Sequence, residues 1–272
     1  MTHSKRIIFF ISDGTGITAK TLGHSLLTQF EQIKFDTVTI PYIKTAEQAQ
    51  EAVDKINQTA KEGTRPIVFA TLLDPAMRHI ISTSNALFLD LFATFIQPLE
   101  YEFQTKSSHA IGKSHTVNTA YNERIEAINF ALLHDDGQSY QRYEDADVIL
   151  VGVSRSGKTP TCLYLAMQFG VFAANYPLTD DDIQTQALPE MLLPYREKLF
   201  GLTIQPDRLQ KIRQERSPNS RYSSLAQCQL EVQKVEALYR QFKLPFINTT
   251  VTSVEEIATS ILLNAKIERP MF

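Results

Sequence analysis

Four apolar residues, Val148-Ile149-Leu150-Val151, run directly into Gly-Val-Ser-Arg-Ser-Gly-Lys-Thr at Gly152 to Thr159, and a second apolar stretch, Cys162-Leu163-Tyr164-Leu165-Ala166-Met167, follows. An unbroken aliphatic run suits a strand buried on both faces of a parallel sheet. A parallel strand needs a crossover, normally a helix, before its neighbour can pair. Glycines at 152 and 157 let the chain turn back sharply, so successive amides face one concavity. Strand, glycine turn and helix commit this part of the chain to an α/β fold, and the helix N-terminus adds its own attraction for anions.

The spacing G-x-x-x-x-G-K-[ST] is that of a phosphate-binding loop, or P-loop. On that reading Gly152, Val153, Ser154, Arg155, Ser156, Gly157, Lys158 and Thr159 form a nucleotide site. Amides from Val153 to Thr159 supply the cradle, Lys158 carries an ammonium to the outer phosphates, and Thr159 offers its hydroxyl to a bound Mg²⁺. An ordinary glycine turn before a helix is the alternative; the flanking strand and helix argue against it. Pro160 departs from the usual pattern. Proline is tolerated in a first helical turn, but it removes an amide that commonly helps to hold a phosphate. Arg155 either reaches an equatorial phosphate oxygen or is a solvated loop arginine; the motif leaves that position variable.

Elsewhere the pattern repeats the strand–helix alternation of a parallel sheet. Ile7 to Ile11, Val38 to Ile40 and Ile67 to Ala70 read as strands; Thr18 to Phe30 and Thr45 to Lys61 read as helices, and Asp74-Pro75 starts another. Ala86 to Ile96 is strongly apolar and reads as buried. Residues 103 to 118 are polar and aperiodic, and a helix from Ala120 to His134 follows. Beyond the glycine loop, strands are expected at Val171 to Ala174, Leu199 to Ile204 and Phe246-Ile247, with helices at Pro206 to Arg216 and Ser223 to Phe242. Ser253-Val254-Glu255-Glu256 opens the last helix as a capping box. The expected fold is two α/β lobes with mainly parallel sheets: residues 1–104, a linker and connecting helix at 105–145, and a P-loop kinase-like lobe at 146–272. The 223–242 helix carries an apolar stripe three and four residues apart, which packs on the core or forms a homodimer seam; the core is the simpler reading.

Composition excludes several classes. The chain has 272 residues with a net charge of −3, so it lacks the basic field of a general nucleic-acid binder. No apolar run approaches a membrane span, and Ile7 to Ile11 is too short for a signal peptide; both fit a cytoplasmic location. The two cysteines, Cys162 and Cys228, fall on apolar helix faces and read as buried thiols.

Several unusual motifs occur in one order: Ile-Ser-Asp-Gly-Thr-Gly-Ile-Thr-Ala at 11–19, His-Asp-Asp-Gly at 134–137, the glycine loop through Thr161, Ala-Asn-Tyr-Pro-Leu at 174–178, Lys-Leu-Phe-Gly-Leu-Thr-Ile at 198–204 and Asn-Ser-Arg-Tyr at 219–222. Together they resemble the bacterial regulatory proteins of phosphoenolpyruvate synthase, close relatives of the regulators of pyruvate, phosphate dikinase. Dikinase regulators often carry Ser-Lys where this chain has Gly157-Lys158, so the synthase branch is the nearer likeness. The resemblance implies a bifunctional enzyme. It would phosphorylate a threonine of phosphoenolpyruvate synthase with ADP as donor, and would remove that phosphate with inorganic phosphate, releasing pyrophosphate. A P-loop kinase of a small metabolite, or a nucleotide sensor without chemistry, is the rival reading.

Phosphoryl transfer needs a cradle, a cation and an oriented hydroxyl. Lys158 would face the reacting phosphorus. His134, Asp135 and Asp136 are candidates for the group that orients the target hydroxyl; Asp135-Asp136-Gly137 is otherwise a helix-stopping turn. Arg221 would serve a second anion, whereas Arg208, Arg213 and Arg216 each read better as solvated helix residues. Asp13 either binds a metal or caps the next helix, the cap being favoured. Lys113 and His115 are candidates for contact with the target protein. His109 and His115 lack further ligands for a zinc site.

Overall fold

The structure, a computed structural model, describes residues 6–108, 119–137 and 142–267. His109, Lys113 and His115 lie outside the described residues. The chain divides into two compact units, Met1–His115 and Thr116–Phe272.

In the first unit four strands form one parallel sheet: β1 (Arg6–Ser12), β2 (Phe35–Ile40), β3 (Ile67–Thr71) and β4 (Leu87–Asp90), in the order β2-β1-β3-β4. Helices α1 (Ile17–Leu27), α2 (Ala46–Glu62) and α3 (Pro75–Ser82) make the crossovers, and α4 (Ala93–Phe103) follows β4. Phe9, Ile11, Val68 and Ala70 pack on one face with Ala49, Val53 and Ile56 of α2. Ile8, Phe10 and Phe69 pack on the other with Ala19 and Leu27 of α1. Thr45 and Gln48 cap α2 reciprocally, and Asp74 caps α3 ahead of Pro75.

Two sequence expectations fail here. Ala86 to Ile96 is not a buried block: Ala86 and Leu91 are buried, but Leu87 and Phe95 are exposed, because β4 is an edge strand and α4 begins within the segment. Nor does Asp13 cap α1. Gly16, at φ 79°, occupies the cap position, and the buried Asp13 carboxylate accepts the Leu73 amide at 2.7 Å. Burial is the main cause that raises the Asp13 pKa.

The second unit repeats the topology. Strands β5 (Val148–Gly152), β6 (Ala173–Pro177), β7 (Leu199–Thr203) and β8 (Phe246–Asn248) form a parallel sheet in the order β6-β5-β7-β8. Around it lie α5 (Thr119–Leu133), α6 (Lys158–Phe169), α7 (Asp180–Thr185), α8 (Pro206–Arg216), α9 (Leu225–Phe242) and α10 (Val254–Ala265). All five residues of β5 are buried, as a central strand requires. Leu150, Cys162, Leu165, Phe200 and Ile257 belong to the core on one face. Ile149, Val151, Leu199, Val232, Val235 and Leu238 belong to that on the other. The apolar stripe of α9 is therefore spent within its own unit. β6 starts two residues later than expected because Gly170, left-handed at φ 61°, ends α6 and carries Val171 into the core as a connector. Cys162 and Cys228 are buried free thiols, and no helix among the described residues is long and apolar enough to cross a membrane.

Candidate functional site

In both sheets the strand order reverses at the first-entered strand. Ligands of open α/β sheets bind beyond the carboxyl ends of the strands at such a point. In the second unit the point lies between β5 and β7, and Tyr239 of α9 closes its floor. The fully buried hydroxyl donates a forked bond to the carbonyls of Val151 and Leu202, at 2.8 and 3.2 Å. Above this floor the Gly152–Thr159 loop turns from β5 into α6.

Steric and backbone constraints shape the loop. A Cβ on Gly152 would sit 2.5 Å from the Leu202 carbonyl oxygen, so only glycine fits against β7. Gly157, at φ 95°, meets nothing within 4 Å and is required for its backbone alone. Arg155 adopts φ 74°, an uncommon left-handed conformation for a residue with a Cβ, and its side chain is exposed. The Ser156 amide donates to Val153 O at 3.3 Å and its carbonyl accepts from Thr249 Oγ1 at 3.0 Å. The Ser156 hydroxyl is buried and, among the described residues, has no hydrogen-bond partner.

Lys158, 4% exposed, folds beneath the loop and donates to the carbonyls of Gly152 and Val153 at 3.1 and 3.0 Å. Burial pulls its pKa down to about 8, against the opposing pull of Asp136, Cys162 and Asp135. The ammonium thus hydrogen-bonds only to neutral carbonyls, and a ligand bearing negative charge would exchange them for a directly bonded counter-charge.

Next to Lys158, the Thr159 hydroxyl donates to Asp135 Oδ1 at 2.7 Å. The Asn175 side-chain amide donates to the same oxygen. Its Oδ1 accepts the Asp136 amide at 3.1 Å, and its backbone amide donates to His134 O at 3.1 Å. Asn175 thus clamps the turn Asp135–Gly137 to the middle of β6. Asp136 stands at φ 51° with its side chain exposed. His134 is turned to the core: its ring stacks on Phe130 with centroids 4.1 Å apart, and Nδ1 lies 2.7 Å from Phe130 O, so Nδ1 carries the proton.

A third group approaches from α8 and α9. Arg213 is wholly buried, contrary to the solvated position expected for it, whereas Arg208 and Arg216 are exposed. Its guanidinium bridges both Glu231 oxygens, at 3.1 and 2.7 Å, and donates to Ser154 O and Tyr222 O, each at 3.1 Å. It also lies 4.1 Å from the centre of the Tyr222 ring, whose hydroxyl is 3.0 Å from Ser154 Oγ. Arg221, immediately before Tyr222, is exposed on a single 3-10 turn, Arg221–Ser223.

A helix N-terminus, a lysine, a paired Thr159–Asp135 and an unpartnered buried hydroxyl make this loop an anion-seeking surface with an oxygen-rich edge. Residues 8–262 match the model of the kinase/pyrophosphorylase family. The chain belongs to that family. It is 58% identical to a protein of Stutzerimonas stutzeri, covering 97% of this chain and 98% of the relative. It is 54% identical to one of Legionella pneumophila, covering 97% and 99%, and 53% identical to one of Marinobacter nauticus with the same coverage. Each is provisionally named a phosphoenolpyruvate synthase regulatory protein. For a kinase and pyrophosphorylase the described loop is a fitting centre, because both reactions place phosphate oxygens against amides and a cation.

The structure brings Asp135, Lys158 and Thr159 together, with Asp136 beside them, and keeps the His134 ring in the core. Sequence reasoning missed Asn175, Arg213, Glu231 and Tyr222. Two signals were present: an asparagine within a buried strand, and a glutamate on the apolar face of α9 beside Cys228 and Val232.

Proposed function

We propose that this chain is a cytoplasmic bifunctional regulator of phosphoenolpyruvate synthase. It moves the β-phosphoryl group of ADP to a threonine hydroxyl of that enzyme, leaving AMP. It also carries the phosphothreonine phosphoryl group to inorganic phosphate, which restores the hydroxyl and releases pyrophosphate. The observation that carries this reading is the placement of Lys158 and the Thr159–Asp135 pair at the first turn of α6, directly after the glycine loop.

On this reading the loop amides and the α6 N-terminus receive the diphosphate. Lys158 leaves the two carbonyls for the phosphoryl oxygens, and Arg155 extends from the loop toward an equatorial one. Thr159 and Asp135 are hard oxygen donors held 2.7 Å apart, which suits Mg²⁺; bound there, the cation would neutralise phosphate charge. Asp135 is committed to Thr159 and Asn175, so the exposed Asp136 carboxylate is the one free to orient the threonine hydroxyl and take its proton. His134 supports the turn that presents both. Arg221 serves the attacking inorganic phosphate. The family supports phosphoryl transfer, and the names of the relatives support the target.

The test is to mix the protein with phosphoenolpyruvate synthase and ADP labelled in its β-phosphate. Label should appear on a threonine of the synthase, and later addition of phosphate should release labelled pyrophosphate. Label transferred only from ATP, or only to a small acceptor, would establish a metabolite kinase instead. Transfer only to pyruvate, phosphate dikinase would move the target.

A further inference from the structure

The glycine loop and the Asn219–Tyr222 segment lie more than sixty residues apart in sequence, yet one buried side chain holds both. We infer that Arg213 is a positioning residue that keeps the loop and the Arg221-bearing turn in register, so that Arg221 meets an anion seated on the loop. The inference rests on the function proposed above.

The geometry is over-determined. Two guanidinium protons and one hydroxyl contact close a ring: Arg213 donates to Ser154 O and to Tyr222 O, and the Tyr222 hydroxyl meets Ser154 Oγ. Glu231 takes both terminal nitrogens in a fork, which fixes the plane of the guanidinium. Gln227, one turn earlier on α9, donates to Glu231 at 2.9 Å and fixes the carboxylate in turn. The Tyr222 ring lies against the guanidinium, so the turn cannot slide without breaking that contact. On its other side the turn is locked by the Ser220–Ser223 capping box, and Gln214, next to Arg213 on α8, donates to Ser223 O at 3.1 Å. A buried charge whose two terminal nitrogens make four directional bonds has few alternative positions, since each lost partner would leave a desolvated group. Arg221 itself stays exposed. Arg213 is buried beneath the loop and would touch no ligand; it acts through the two segments it holds.

Lysine cannot reproduce the fork that reaches both segments, so the experiment uses Arg213→Lys in the full-length protein. Amide exchange without nucleotide is read first. Protection should fall together in residues 153–157 and 219–224, by about threefold or more in each, with little change in β6. Loss in only one segment, or in neither, overturns the inference whether or not the proposed chemistry is right. Transfer from ADP to the synthase is read second. Arg213→Lys should slow it by about tenfold, while Arg213→Lys/Arg221→Ala should be no slower than Arg221→Ala alone, the non-additivity expected of residues acting as one unit. Equal fold-losses on both backgrounds would mean that Arg213 supports the fold and does not act through Arg221. Full transfer by Arg221→Ala itself would remove Arg221 from the proposed chemistry and would overturn the second half of the inference. If Arg213→Lys does not fold, Tyr222→Phe, which removes only the hydroxyl facing Ser154, is measured the same way; unchanged exchange in both segments would then overturn the inference.

Discussion

Lys158 has two states in this structure's chemistry. In the protein without ligand it bonds only to neutral carbonyls and its pKa is lowered to about 8 by burial. A diphosphate beside it would favour the charged form and raise that value. ADP binding between pH 8 and 9 should therefore be accompanied by proton uptake. The uptake is seen as a dependence of the calorimetric heat on buffer ionisation enthalpy, and should vanish in Lys158→Arg and below about pH 7. Stability follows the same logic: the unfolded lysine keeps its proton up to about 10.5 while the folded one releases it near 8, so this group's contribution to stability rises across that window. Lys158→Ala should abolish transfer from ADP and weaken ADP binding about ten- to a hundredfold, the worth of charge-assisted contacts; normal transfer by the folded variant would refute the assignment. Asp136 is expected to behave differently. Its carboxylate is exposed and is not tied to Thr159. Asp136→Asn should lower the rate of transfer about a hundredfold or more while ADP affinity, read by calorimetry, changes by less than about threefold. Equal loss of both would make the residue structural.

The elements that carry the site show what a sequence discloses and what it withholds. β5, the glycine loop and α6 were legible because each obeys a local rule: an unbroken apolar run, two glycines and a helical apolar stretch. Helix α8 begins at Pro206 as expected, since proline fits the first turn. What stayed hidden needed a partner from another element. On its own helix Arg213 looks solvated, because α8 is polar apart from Leu209 and Ile212; the approach of Glu231 from α9, with the Ser154 and Tyr222 carbonyls, makes its burial tolerable. Asn175 and Asp135 meet across forty residues. The two loop glycines separate the kinds of constraint at work. In Gly152→Ala the new methyl meets Leu202 O, Ser156 Oγ and the Tyr239 hydroxyl at 2.5, 2.9 and 3.2 Å, so a cost of about 1–3 kcal/mol in denaturant midpoint and a distorted loop are expected. Gly157→Ala has open space and should cost only the left-handed backbone, about 1–2 kcal/mol. Tyr239→Phe would leave Val151 O and Leu202 O without their donor, about 1–2 kcal/mol in the same measurement.

At the scale of the whole molecule the question is which of two sheets holds the nucleotide, for both run in the same order and both offer a crevice where the order reverses. Their first loops differ in sign. After β1 comes Ser-Asp-Gly-Thr-Gly, and its buried Asp13 carboxylate, braced by the Leu73 amide, occupies the place where a phosphate would need positive charge. The Ser12 and Thr71 hydroxyls at that crevice are bonded to each other at 3.0 Å. After β5 comes a loop with a buried lysine, an unpartnered serine hydroxyl and the start of a twelve-residue helix. Burying an anion beside a carboxylate costs more than burying it beside an ammonium, so the second crevice should take ADP. Saturating ADP should then slow amide exchange in residues 148–165. The gain should approach the binding free energy, about 2.7 kcal/mol at a hundredfold excess over Kd, wherever exchange proceeds through unfolding of that unit. Protection appearing instead at residues 8–16 and 68–74 would assign the nucleotide to the acidic crevice and would dissociate the phosphate site from Lys158.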